Sequence, residues 1–244
     1  MATEQYRFEK YRSKKDTVTV SASSIEEEWL GRGRYADVVR APLKVEYVGR
    51  ERIVTLALKK YKDRKDVDVE FLRNLQKTYD KCRGLGLPVL PTFRLDPKKR
   101  TVATTDWTEN KTYDVGGYGN VHESEGTKKI ARINNVGPLA KSIFSAAVTA
   151  ARNKLEIAGD AYYFRFPKTG GEVYVNFAIG DVDGIIDPPV SSEESPELAR
   201  YNLESAHYAL YWWLRNHLPH DEKIRDSYLK QIKEMYEEQS RSIQ

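Results

Sequence analysis

The chain has 244 residues, 40% of them hydrophobic and 11% aromatic, which is enough for one large domain or two smaller lobes and too much for a disordered chain. Its 40 Lys and Arg against 36 Asp and Glu leave a net charge of +4, which admits an anionic ligand but lacks the strong, clustered charge of a nucleic-acid protein. The single cysteine, Cys82, excludes an internal disulfide, and no apolar run approaches a membrane span, so a cytoplasmic, non-membrane protein is expected.

Residues 1–16 are polar and charged and read as a flexible arm. Thr17-Val18-Thr19-Val20 alternates like a short strand, and Ser24 with the glutamates after it reads as a capped turn leading into Trp29-Leu30. Gly31-Arg32-Gly33-Arg34-Tyr35-Ala36 follows. Its GxGxxA pattern also fits a dinucleotide fingerprint, but that fingerprint needs a helix directly behind the glycines. Here Val38-Val39, Val45 to Val48 and Ile53 to Leu58 are beta-branched and alternating around Gly49-Arg50, so a hairpin sheet is expected instead. No GxxxxGK[ST] occurs. A glycine turn lets backbone amides approach phosphate oxygens, and Lys59, in the apolar strand Leu56-Ala57-Leu58-Lys59, can supply a cation beside them.

Val67, Phe71, Leu75 and Tyr79 recur every fourth residue and predict an amphipathic helix capped by Asp66 or Asp68. Glu70 lies at the edge of its apolar face. Cys82 reads as an inert core thiol, and Gly84-Leu85-Gly86 ends the helix. Pro91 to Leu95 and Thr101 to Thr105 predict a hairpin turning through Asp96-Pro97-Lys98-Lys99-Arg100, a solvated basic turn. Residues 109–135, with Gly116-Gly117-Tyr118-Gly119-Asn120, read as a mobile loop or lid.

Leu139, Ile143, Ala147, Ala151 and Leu155 predict a core helix starting near Pro138. Asp160 stands on the loop after it, and Asp181 and Asp183 follow the apolar strand that ends at Ile179. Further helices are expected over Leu198–Leu218 and after the cap Asp221. His207, His217 and His220 lack metal-ligand context.

Gly31-x-Gly33-x-Tyr35-Ala36-x-Val38 followed by Leu56-Ala57-Leu58-Lys59 resembles the glycine loop and strand lysine of the protein-kinase superfamily. The resemblance implies an α+β, two-lobed kinase-like fold. Its N-lobe, residues 17–107, would be an antiparallel sheet plus one helix, and its C-lobe, residues 108–244, would be reduced and mostly helical. It implies ATP and Mg2+ as cofactors and transfer of the gamma-phosphate to a hydroxyl acceptor, a protein Ser/Thr or a small molecule. Gly31, Arg32, Gly33, Tyr35, Ala36, Val38, Ala57, Lys59 and Trp107 would then hold the nucleotide, with Asp106-Trp107-Thr108 as hinge. Glu70 would orient Lys59, Asp160 would position the acceptor, and Asp181 and Asp183 would hold metal. The family's pattern is broken at Tyr162, where a lysine is usual, at Arg165, where an asparagine is usual, and at Asp183, which replaces a glycine. These departures leave a second expectation, a catalytically impaired pseudokinase that acts by binding nucleotide or a protein partner. Residues 187–197 would be a short activation segment carrying Ser191, Ser192 and Ser195. Apart from the resemblance, each of these residues is also compatible with an ordinary turn glycine, surface lysine or loop aspartate.

Overall fold

The computed structural model describes residues 4–11, 17–33, 35–47, 50–109, 112–117, 130–187, 195–218 and 221–243. Two compact units form: Met1–Tyr79 with Leu90–Asn110, and Asp80–Val89 with Lys111–Gln244.

The first unit contains β1 (Gln5–Tyr11), β2 (Thr17–Ser24), β3 (Glu28–Arg32), β4 (Ala36–Tyr47), β5 (Arg50–Tyr61), the first part of α1 (Val69–Gly84), β6 (Phe93–Asp96) and β7 (Thr101–Thr105). Its strands run in the order β2-β1-β6-β7-β5-β4-β3, and β2 also pairs with β4. That extra pairing closes β2-β1-β6-β7-β5-β4 into a six-stranded antiparallel barrel, with β3 added alongside β4.

The α+β class stands, but the expected two-lobed kinase-like fold, with its antiparallel sheet plus one helix, is corrected by this closed barrel. The reason lies in β1 and β4. Residues 5–11 were expected to be a flexible arm, yet they form a full strand whose Tyr6 and Phe8 point inward and stack at 5.3 Å. The 12-residue β4 is long enough to pair first with β3, through Glu28↔Arg40, and then with β2, through Ser24↔Leu43. Pro42 occupies the changeover between those partners, where its missing N–H costs no ladder bond.

Alternation along the strands fills the barrel. Val39, Ala41 and Leu43 of β4 meet Tyr6, Phe8, Ala22, Leu58 and Ala103. The alanines let the large side chains fit a narrow interior. Outside the barrel, α1 begins where the Asp68 carboxylate accepts from the Phe71 N–H at 2.7 Å, one of the two expected caps. Phe71 meets Tyr61 edge-on at 5.8 Å, and Tyr79 stacks on Phe93 at 4.7 Å.

The second unit is built around α2 (Val136–Arg152), with α3 (Ser195–His217) and α4 (Glu222–Arg241). The expected stripe, Leu139, Ile143, Ala147, Ala151 and Leu155, is buried throughout. Its strands are β8 (Tyr113–Gly116), β9 (Ile130–Ile133), β10 (Glu156–Ile157), β11 (Tyr162–Pro167), β12 (Gly171–Val173), β13 (Asn176–Ile179) and β14 (Ile185–Ile186). They make a β13-β11-β8 sheet and the pairs β10-β14 and β12-β9. The lid expected over 109–135 therefore contains two strands, and its glycine-rich centre, residues 118–129, lies outside the described residues.

Fully buried Asn202 of α3 accepts from the Ile157 N–H at 2.8 Å and donates to Leu155 O at 2.8 Å, which locks α3 to the chain leaving α2. Trp213 stacks on Phe164 at 4.8 Å and on His217 at 5.3 Å. Cys82 is wholly buried and burial pushes its thiol up to about 12, which leaves it a neutral core group. Asp221 caps α4 by accepting from Lys223 and Ile224 N–H groups.

Candidate functional site

Strand register sets the first group of candidate residues. Gly31 pairs with Val38, Val38 with Lys59, and Lys59 with Val102, so four neighbouring strands contribute one rung, which begins beside a β-bulge between Trp29 and Gly31. Directly paired residues share a face, and the inward-pointing neighbours Val39 and Leu58 put this rung on the outside of the barrel. At about 4.8 Å per strand, Gly31 lies roughly 10 Å from Lys59. The next outward rung is Arg40, Ala57 and Thr104. Small or slender side chains at Gly31, Val38 and Ala57 thus leave a shallow face with Lys59 on one side. The Lys59 ammonium sits 5.3 Å over the Tyr61 ring. A Cβ at Gly31 would meet nothing within 4 Å, so the face is open there.

The glycine turn itself is committed to structure. Gly33 N–H donates to Ala36 O at 2.7 Å, which closes the β3–β4 hairpin, and Gly33 O accepts from the Lys62 ammonium at 2.8 Å. The Tyr35 carbonyl accepts from Lys62 N–H, and Arg64 lies 4.8 Å over the exposed Tyr35 ring. The Gly33 amide is therefore spent within the hairpin. Ala36 is buried at the base of the turn. The Arg32 side chain lies outside the described residues.

Glu70 is exposed in the first turn of α1 and forms no hydrogen bond or ion pair with Lys59 among the described contacts. Trp107 is half-buried in the turn after β7. The neighbouring Asp106 is instead buried and accepts several hydrogen bonds. Its Oδ2 accepts from Arg40 Nε at 2.9 Å, while Oδ1 accepts from Thr108 N at 3.1 Å and Thr108 Oγ1 at 2.6 Å. Arg40 and Asp106 are both 6% exposed, and Glu28 adds a second carboxylate to Arg40 at 2.8 Å. Sequence reasoning passed over Arg40, although a charged residue inside the apolar run Val38-Val39-Arg40-Ala41 demands a buried partner.

In the second unit the two aspartate loops come together. Asp160 lies on a 3₁₀ turn at Gly159–Ala161, and Asp181 precedes another at Val182–Gly184. Pairing of Ile157 with Ile185 and of Tyr162 with Ile179 holds the turns side by side. Gly180 N–H and Asp181 N–H both reach the Ala161 carbonyl, at 2.9 and 3.4 Å. Glycine is required at the junction: a Cβ at Gly184 would fall 2.9 Å from Ala161 Cβ and 3.3 Å from Asp160 Oδ1. Asp160 is exposed, and Asp181 Oδ1 accepts from Asp183 N–H at 3.2 Å, a local turn bond.

Among the described residues no three His, Cys, Asp or Glu side chains converge as a metal-holding group. The aspartates therefore fit magnesium at most as partners to oxygens a ligand would bring.

Of the three departures in this region, Tyr162 and Arg165 are structural. Tyr162 is wholly buried and its hydroxyl has no hydrogen-bond partner among the described residues. Burial pushes that hydroxyl's pKa upward. The Arg165 guanidinium carbon lies 3.6 Å from the centre of the Tyr113 ring. Ser191, Ser192 and most of the expected activation segment lie outside the described residues, as does His220. No family model matches this chain, and no curated protein matches it.

Proposed function

We propose that the protein binds ATP as a nucleotide-binding module, with the phosphates received at Lys59 on the outer barrel face. The observation that carries this reading is the rung Gly31–Val38–Lys59. It sets an open glycine position, a slender apolar residue and a cation along one line of roughly 10 Å. Val38 and Ala57 would offer the flat apolar contact that a base or ribose needs.

The decisive experiment is isothermal titration with ATP, with and without Mg2+, on the wild type and on Lys59→Met. Loss of the charge-assisted contact should weaken binding by about tenfold or more. No heat at millimolar ATP, or equal affinity in Lys59→Met, would sink this reading.

A second reading, gamma-phosphate transfer to a hydroxyl acceptor, is favoured by one observation: the exposed Asp160 carboxylate beside the Asp181–Asp183 turn. In that reading Asp160 would orient the acceptor hydroxyl, and Asp181 would offer its carboxylate to a magnesium ion. The buried Tyr162 and Arg165, which lies against the Tyr113 ring, supply no further phosphate or metal contact, so binding without efficient turnover is the better supported of the two. Radiolabelled ATP turnover that is lost in both Asp160→Asn and Asp181→Asn would reverse that preference.

A further inference from the structure

We infer that a second pocket on the first unit, sharing no residue with the Lys59 face, binds the phosphate group of a small organic ligand. The pocket arises from a flaw in barrel closure. Among the described residues β1 and β6 are joined through the single pair Glu9↔Leu95, whereas β1 and β2 pair along their whole length. Where the ladder fails, the Asp96 carboxylate takes over as acceptor, at 2.6 Å from Arg7 N–H and 3.2 Å from Lys99 N–H. The splayed seam leaves a cavity of about 380 Å³ bounded by β1, the start of α1 and the β6–β7 turn. That volume is at the small end of ligand sites.

Three cations line it: Arg7, Arg73 and Lys98. Their charged heads have no hydrogen-bond or ion-pair partner among the described residues, unlike Arg40, Lys60, Lys62 and Arg64, which are all paired. All three are exposed around one cavity, and an anion seated there would take a charge-assisted contact from each.

Of the two carboxylates lining the cavity, Asp96 is 2% exposed and spends both oxygens on backbone amides, while Glu9 is half-buried on β1. A monocarboxylate would use only part of this donor set. A phosphate monoester carries close to two charges and three acceptor oxygens, which suits two guanidinium forks and an ammonium. Val69 and Pro97 supply apolar wall for the organic remainder.

The probe is phenyl phosphate, followed through the arginine Nε–H resonances of the full chain, with benzoate and phenol as comparators. Phenyl phosphate should move the Arg7 and Arg73 signals, benzoate should bind more weakly, and phenol should not bind. Arg73→Ala should raise Kd about tenfold. Arg73 is exposed on α1, so its removal leaves the fold intact, and Arg7→Ala should have a similar effect. Lys77→Ala, on the same helix but outside the pocket, and Lys59→Met should leave Kd unchanged. The inference is overturned if neither arginine signal moves at millimolar phenyl phosphate, if benzoate binds as well, if Arg73→Ala binds normally, or if Lys59→Met abolishes binding.

Discussion

Removing the carboxylate of Asp106 should be among the most damaging single changes in the first unit. Arg40 and Asp106 are each 6% exposed, and Asp106 accepts from Arg40 Nε at 2.9 Å and from both the amide and the hydroxyl of Thr108. Asp106→Ala leaves a buried guanidinium short of a counter-charge and the Thr108 donors without an acceptor. Breaking a buried pair from one side costs about 3–5 kcal/mol. Glu28 remains 2.8 Å from Arg40 with its own side chain 44% exposed, which places the cost near the lower end, about 3 kcal/mol. For a chain of this length that corresponds to a Tm drop of roughly 6–12 °C. Asp106→Asn keeps an acceptor for Thr108 and should cost about half as much. The double variant Arg40→Met/Asp106→Leu removes both charges and should recover most of the loss. Thermal unfolding followed by tryptophan fluorescence measures all three. A Tm drop below 2 °C for Asp106→Ala, or a double variant as unstable as the sum of its singles, would refute the reasoning.

Two further outcomes follow from buried polar groups. Tyr162→Phe removes a hydroxyl that is buried without a partner among the described residues, so thermal unfolding should shift upward, by about 1 kcal/mol of stability; a loss of stability would reveal a hydrogen bond to that hydroxyl. Glu4 has burial raising its carboxyl pKa, but hydrogen bonds from Lys60 and Lys99 outweigh that and hold it at about 2, against 4.5 when free. A depressed carboxyl contributes stability that is present above its unfolded pKa and lost as pH falls through the folded one, so the contribution should disappear between pH 4.5 and about 2. Glu4→Gln should flatten that part of a stability profile measured from pH 2 to 6, and an unchanged slope would count against the Lys60 and Lys99 contacts.

What the sequence revealed and what it concealed divide along the range of the interactions. The helices α1 and α2 were legible because their apolar residues repeat at helical spacing and their first turns carry local signals, the Asp68 cap and Pro138. The β6–β7 hairpin was legible for the same reason, since its turn chemistry is contiguous. Barrel closure was not. It depends on β1, where the alternating aromatics Tyr6 and Phe8 sit among charged residues that argue for a solvated arm, and on the pairing of Glu9 with Leu95, far away in sequence. Arg40 and Asp106 are likewise 66 positions apart, and no local pattern links them. The candidate site was half legible. Alternation placed Lys59 on the opposite side of its strand from Leu58, and the two aspartate loops do meet. The Lys59–Glu70 pairing and a carboxylate cage were expectations about side-chain direction, which spacing alone does not determine.

The pleat of β5 sharpens the ATP experiment, because it gives two adjacent lysines opposite duties. Leu56 and Leu58 pack on the barrel interior, and Lys60 continues that side. Its ammonium lies at the barrel end, 2.8 Å from Glu4 and 2.7 Å from Glu27, with the Tyr6 ring 5.6 Å away and the Tyr6 hydroxyl donating to Glu27. Lys59 points the other way, over Tyr61 and in line with Gly31. A residue that is 26% exposed between two carboxylates is there for the fold, and removing it takes the cation from Glu27 and leaves Glu4 to Lys99. Lys60→Met should therefore lower the unfolding temperature while the surviving folded protein keeps its affinity for ATP, whereas Lys59→Met should keep its unfolding temperature and lose affinity. Loss of ATP affinity in both variants, in proportion to their loss of stability, would mean that binding reports only on the integrity of the barrel, and the assignment of the phosphates to Lys59 would fall.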